Sequence, residues 1–291
     1  MPALELRARR LQAHVLSSVR RLALSMNTEQ SEQLLLSIVI PAYNEAENIG
    51  NGTLQKVLDY LAQQDYASEV IVVDDGSLDG TAEAVEEAAR RCPFLSLLRA
   101  DHGGKAAAVR AGVRAARGRY VFFSDMDQST PIRYLEDALR ELSAGYDVVV
   151  ASRWLPRSQR LGEPLSRRLS GRLFSLLVRL LLLPEVHDSQ CGFKGFRREA
   201  ARQLFEGLLV FRDAGKGAAG PIVTAFDVEL LVQAKRRGYR IQEIPVVWRH
   251  VGGSRVSPLR DGPRMFRQVL AVWTNKLRGR YNDSAAPGNV E

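Results

Sequence analysis

Cysteine is nearly absent from this sequence. Two cysteines in 291 residues, Cys92 and Cys191, exclude a disulfide framework and fit a reducing compartment. Long apolar runs are missing too. The most apolar stretch, Leu173–Leu183, contains Arg179 and is far shorter than the ~20 residues a spanning helix needs. The N-terminal arginine clusters have no apolar core between them, so they do not read as a signal peptide. No GxGxxG follows the first apolar run, which argues against a nicotinamide-binding Rossmann protein. With 45% hydrophobic and 25% charged residues, the chain is not collagen-like, low-complexity or wholly disordered.

Charge is present in excess and in particular places. The formal net charge is +8, yet residues 1–27 alone carry +4, residues 153–183 carry +6 and residues 249–280 carry +7. The remainder is net negative. Such segregation points to a large anionic partner: a membrane face, a nucleic acid or phosphates. Leu4, Leu11, Val15 and Leu22 share one helical face beside arginines, as in a helix lying in a lipid interface or docked on a domain. The basic segments lack the interleaved aromatics that stack bases, which argues against nucleic acid.

The organisation follows from four apolar runs. Leu34–Pro41, Val70–Ser77, Tyr120–Asp127 and Asp147–Ser152 read as strands, with helical patterns near 54–64, 79–91, 104–117 and 131–143 between them. Strands that are apolar throughout and alternate with helices predict a mostly parallel sheet covered on both faces. Ligands of such sheets bind beyond the carboxyl ends of the strands. After residue 153 the pattern changes to a leucine- and arginine-rich helix ending near Pro184 and a polar turn, His187–Phe196. A glycine-rich loop at 213–221, a helix near 226–237, a strand at 240–248 and a final helix near 263–278 complete the reading.

Two acidic clusters stand where strands end. Asp125 and Asp127, separated by Met126, can meet at one hard cation, since Mg²⁺ or Mn²⁺ favours one or two carboxylates plus phosphate oxygens and waters. A cation held there would neutralise charge on a departing diphosphate. Asp74 and Asp75, followed by Gly76, can accept hydrogen bonds from a ribose or a base. His250 is placed to complete a metal shell, and Cys191 reads as a small packed residue.

In order and spacing, PAYNE (Pro41–Glu45), VDDGS (Val73–Ser77), the helix start at Gly104-Lys105 and DMD (Asp125–Asp127) resemble the family 2 glycosyltransferases of GT-A fold. DSQCGFKGF (Asp188–Phe196), AFDVELL (Ala225–Leu231) and Trp248 followed by Ser254 are similar to the dolichyl-phosphate β-glucosyltransferase branch. The resemblance covers about residues 34–280. The glycine-rich stretch is longer than the branch has, and Arg255 stands where lysine is more usual.

The resemblance implies an α/β, GT-A Rossmann-like domain over 34–280, between an amphipathic segment 1–33 and a disordered tail 281–291. It implies that Pro41, Tyr43 and Glu45 line a uridine pocket, that Asp74 and Asp75 bind base or ribose, and that Lys105 lies near the nucleotide. Asp125 would touch ribose or sugar, Asp127 would be the principal metal ligand, and Arg153 and Arg255 would hold the acceptor phosphate or the diphosphate. Asp227 aligns with the catalytic base of other inverting members. However, a phosphate monoester acceptor, with a second pKa of about 6, is already a nucleophile at neutral pH and needs no base. The implied reaction moves a hexose, glucose first, from UDP-sugar to a polyprenyl phosphate with inversion. Many members of the branch carry transmembrane helices after the catalytic domain and this sequence shows none, so the expectation is a protein peripheral on the cytoplasmic face or one that works with a membrane-embedded partner. The alternatives are a polyprenyl-phosphate mannose synthase using GDP-mannose, transfer to a hydroxyl acceptor, a non-catalytic sugar-nucleotide sensor, or a nucleic-acid-binding protein.

Overall fold

The computed structural model describes residues 34–212, 225–252 and 258–281. The amphipathic segment 1–33, the glycine-rich stretch 213–221, Ser254, Arg255 and residues 282–291 lie outside the described residues. In chain order the strands are β1 (Leu34–Ala42), β2 (Ala67–Asp74), β3 (Leu95–Arg99), β4 (Tyr120–Ser124), β5 (Val148–Ser152), β6 (Gln159–Leu161), β7 (Phe193–Arg197), β8 (Ile241–Pro245) and β9 (Val247–Arg249). The helices are α1 (Ala46–Gly50), α2 (Thr53–Ala62), α3 (Thr81–Arg91), α4 (Lys105–Ala115), α5 (Leu135–Ser143), α6 (Leu165–Leu181), α7 (Arg198–Glu206), α8 (Phe226–Arg236) and α9 (Pro258–Leu277).

Seven strands form one sheet in the order β3-β2-β1-β4-β7-β5-β8, and β6 pairs with β9 in a small second sheet. Every pairing is parallel except those of β7, which runs antiparallel to β4 and β5. The apolar runs are continuous because the sheet is buried on both faces and successive side chains alternate between them. Tyr120 and Phe122 of β4 join a core with Leu54, Leu58, Leu135 and Leu139, under α2 and α5. Val121 and Phe123 join the opposite core with Val109, Leu204, Leu230 and Val272, under α4, α7, α8 and α9.

The sheet corrects the reading of His187–Phe196 as a polar turn. Its last residues, continued by Arg197, form β7 in the middle of the sheet, where Phe193, Lys194, Gly195 and Phe196 are all buried. Lysine and glycine disguised the strand, and both have local reasons to be there. A side chain at Gly195 would fall 2.2 Å from the ring of Phe122. Lys194 has a carboxylate partner behind the sheet, described below. β3 and α7 were also not anticipated.

Among the described residues, no helix is long and apolar enough to cross a membrane. Helix α6 nevertheless leaves Leu165, Leu169, Leu173, Leu176 and Leu180 between 50% and 80% exposed. Their spacings of four, four, three and four place them on one face of the helix.

Candidate active site

A cleft of about 680 Å³ opens at the carboxyl ends of β1, β2, β4 and β5. The antiparallel course of β7 brings the segment before it, Asp188–Gly192, to this same end of the sheet, because Phe193 pairs with Ser124. Pro41, Tyr43 and Glu45 enter the wall from β1, and Asp75 from β2. Asp125 and Asp127 follow β4, Arg153 follows β5, and Lys105 and Asp227 come from the first turns of α4 and α8. His250 completes the wall beyond β9. Asp74 does not line the cleft. Its Oδ1 accepts from the Ser77 amide at 3.3 Å and closes the turn after β2.

On the β1–β2 side, Asp75 accepts from the amides of Gly103 and Gly104 at 2.8 and 2.9 Å, and its Oδ2 lies 2.9 Å from His102 Nδ1. Burial pushes its carboxyl up, against these hydrogen bonds, which favour the anion. The ring of His102 stacks on Tyr43 with centroids 4.4 Å apart. This aromatic pair was missed in the sequence, where His102 belongs to no motif.

At the end of β4, Asp127 accepts from Ser129 through the amide at 2.9 Å and the hydroxyl at 2.8 Å. Burial and the neighbouring Asp125 push its carboxyl up. Asp125 pairs with Lys105 at 2.5 Å. Burial opposes the charge of Lys105, but Asp125 and Asp227 outweigh it and hold the ammonium above its ordinary value. Gly192 is close packed here: any Cβ on it would fall 1.9 Å from Asp125 Oδ2.

The donor set at this point suits a divalent cation shared with substrate. Asp125 and Asp127, separated by one residue, both line the cleft at the end of β4, the one or two carboxylates that such a cation takes from a protein beside phosphate oxygens and water. Among the described residues, no group of three or more His, Cys, Asp or Glu side chains could hold an ion by itself. His250 therefore does not complete a three-ligand set with the two aspartates; its ring lies 5.9 Å from that of Trp248.

Across the cleft, Arg153 is gripped by Asp188, with Nε to Oδ2 at 2.7 Å and Nη2 to Oδ1 at 2.9 Å. Burial opposes both charges, but the pair wins: the guanidinium is held above and the carboxyl below its ordinary value. Asp227 is paired as well. Its Oδ1 accepts from the buried Nζ of Lys194 at 2.6 Å. Lys194 and Asp188 both belong to DSQCGFKGF, and nothing in the sequence separated their roles from those of its other residues.

The model of Glycosyl transferase family 2 matches residues 37–205. The chain belongs to that family. This family 2 enzyme is 35% identical over 243 residues to the glycosyltransferase AglD of Haloferax volcanii, across 82% of its own length but only 37% of the relative's. It thus spans little more than a third of that protein. It is 33% identical over 270 residues to a dolichyl-phosphate beta-glucosyltransferase of Drosophila melanogaster, covering 87% of the chain and 78% of the relative. Two solved structures share its GT-A fold. A mannosyltransferase of Pyrobaculum calidifontis in complex with GDP-Man and Mn²⁺ superposes with a TM-score of 0.56 at 24% identity, over 88% of this chain and 66% of the other. Glucosyl-3-phosphoglycerate synthase of Mycobacterium tuberculosis, in complex with Mn²⁺, UDP and glucosyl-3-phosphoglycerate, gives 0.57 at 22% identity, over 84% and 80%. The family 2 glycosyltransferase described here is an α/β enzyme with a mostly parallel central sheet.

Proposed function

We propose that this glycosyltransferase moves glucose from UDP-glucose to the phosphate of a polyprenyl phosphate, with inversion, at the cytoplasmic surface of a membrane. One observation carries the choice of acceptor. Helix α6 puts Arg167 into the cleft wall while its leucine stripe faces outward. An acceptor with an anionic head and an isoprenoid tail needs those two surfaces side by side. Arginines beside apolar residues also suit an anionic lipid interface, where each basic residue contributes about 1 kcal/mol. The dolichyl-phosphate beta-glucosyltransferase of Drosophila supports the same acceptor class.

The residues divide the work as follows. Tyr43 and His102 offer a flat aromatic wall for the uracil, and Asp75 fixes the Gly103–Gly104 backbone beside it. Asp125 and Asp127 would hold Mg²⁺ or Mn²⁺. When bound, such an ion neutralises charge on the diphosphate as it leaves. Lys105 keeps Asp125 in place, and Arg153, oriented by Asp188, faces the phosphates from the opposite wall. The acceptor phosphate is ionised near neutrality, so its oxygen attacks C1 of the sugar without losing a proton to the protein. Positioning and electrostatics then carry the rate.

The test is a donor screen with a short-chain polyprenyl phosphate and Mg²⁺ or Mn²⁺, reading released nucleotide. UDP release from UDP-glucose that depends on the lipid phosphate is expected. Lipid-dependent turnover of GDP-mannose alone would reassign the donor, and release that ignores the lipid phosphate would contradict the acceptor.

A further inference from the structure

Lys194 is the most completely buried cation of the described chain, with no exposed surface, and it lies in the central strand β7. Its Nζ donates to the Cys191 carbonyl and to Asp227 Oδ1, both at 2.6 Å. It stands directly across from Phe123 in the β4–β7 pairing, 5.2 Å from that ring's centroid. Lys105 approaches the same ring at 5.8 Å. Among the described residues, the charged groups near Asp227 include Lys194 from β7 and Lys105 from α4, with Asp125 and Asp127 at the end of β4 beyond Lys105. Asp227 also sits in the first turn of α8, where the helix favours an anion. A buried ammonium costs several kcal/mol of desolvation unless it is paired, so a position this dry needs its partner.

We propose that Lys194 is a positioning residue that acts through Asp227, holding this carboxylate as a neutralised hydrogen-bond acceptor in the cleft wall and denying it the role of general base. The inference rests on the phosphate-acceptor reading and deepens it. A carboxylate whose Oδ1 already accepts from a lysine proton donor has less capacity to take a further proton, which favours an acceptor oxygen that arrives ionised over water and alcohols, which must lose one. With the lysine gone, Asp227 Oδ1 loses its buried proton donor and is open to accept the proton of an incoming water, as a general base within hydrogen-bond reach does.

Removing Lys194 therefore has a signature that loss of structure would not give. In the Lys194→Met chain, water can attack C1 of UDP-glucose: its oxygen bonds to C1, its proton passes to Asp227, and the C1–O bond breaks with the electron pair leaving on UDP. Free glucose and UDP result. The experiment measures UDP release from UDP-glucose with Mg²⁺, with and without a short-chain polyprenyl phosphate, in wild type, Lys194→Met and Lys194→Met/Asp227→Asn. The expected result is a rise of roughly tenfold or more in the ratio of hydrolysis to transfer for Lys194→Met, abolished in the double variant. Hydrolysis and transfer falling together, or a rise that survives Asp227→Asn, overturns the proposal. If Lys194→Met does not fold, Lys194→Gln keeps a donor for the Cys191 carbonyl, removes the charge and carries the same expectation. Wild type that ignores the lipid phosphate, while hydrolysis still responds to Lys194 and Asp227 in this way, contradicts the acceptor and leaves the positioning role standing.

Discussion

Arg153 in the cleft wall and Asp188 behind it are locked face to face by two parallel hydrogen bonds, and Asp188 takes the Arg153 amide as well, at 2.9 Å. This cleft arginine, which we propose faces the phosphates, therefore has its orientation set by a residue outside the cleft wall. Two-pronged pairing of this kind fixes the guanidinium plane as well as its charge.

Asp188→Asn is expected to leave the partly buried Arg153 without its carboxylate partner and to destabilise the fold by about 1–3 kcal/mol. The carboxyl is held below its ordinary value, so its contribution is present above the unfolded pKa of about 3.9 and is lost as pH falls through the lower folded value. Thermal melts between pH 7 and pH 3 check this. The gap between wild type and variant should narrow below about pH 4.

Gly192→Ala would place a methyl group on the Asp125 carboxylate. Asp125 must then leave Lys105, and transfer should fall roughly 10²-fold, as when one strong electrostatic contributor is lost. Circular dichroism should show a folded chain, because the clash is with a side chain bordering the cleft. Transfer at the wild-type rate would show that Asp125 works from elsewhere.

Asp127→Asn removes one anionic donor while keeping the shape and the neighbouring Ser129. Transfer should drop by ~10²–10³. Chelation of wild type with EDTA should abolish turnover, and excess Mg²⁺ or Mn²⁺ should restore it. Full activity in EDTA would contradict the metal reading of the two aspartates.

The leucine stripe can be tested without touching the cleft. Leu169, Leu173 and Leu180 are exposed, so replacing them together with glutamine should cost the fold little. Binding to anionic phosphatidylserine vesicles should weaken by roughly 10²-fold or more, since each leucine removed from lipid forfeits more than 1 kcal/mol. UDP binding should not change. Arg160 is a poor choice for this test, because it is buried against Glu163 and packs over Trp154 at 3.9 Å. Equal vesicle binding by the variant would assign membrane contact to another surface.

Much of this architecture was legible in the sequence. Val70–Val73, Tyr120–Phe123 and Val148–Ala151 read as buried strands because their apolar character is unbroken, and their polar ends marked the cleft. Strand β7 was not legible, because the signal of a central strand is apolar continuity and FKGFR breaks it with a lysine and a glycine. The buried lysine is acceptable only because Asp227 approaches from a helix more than 30 residues later, a pairing that local pattern cannot carry. For the same reason Asp188 and His102 stayed unassigned: each acts through a partner distant in the chain. Asp74 and Asp75 look alike in sequence. The strand end sends one into a turn and the other to the amides that open α4.

The most direct measurement of the account is phosphorus NMR of the product formed from UDP-glucose and a short-chain polyprenyl phosphate. The account expects the monoester resonance of the acceptor to be replaced by that of a phosphodiester, with the anomeric coupling of a β-linked glucose. A lipid phosphate that stays a monoester while UDP is released would contradict it.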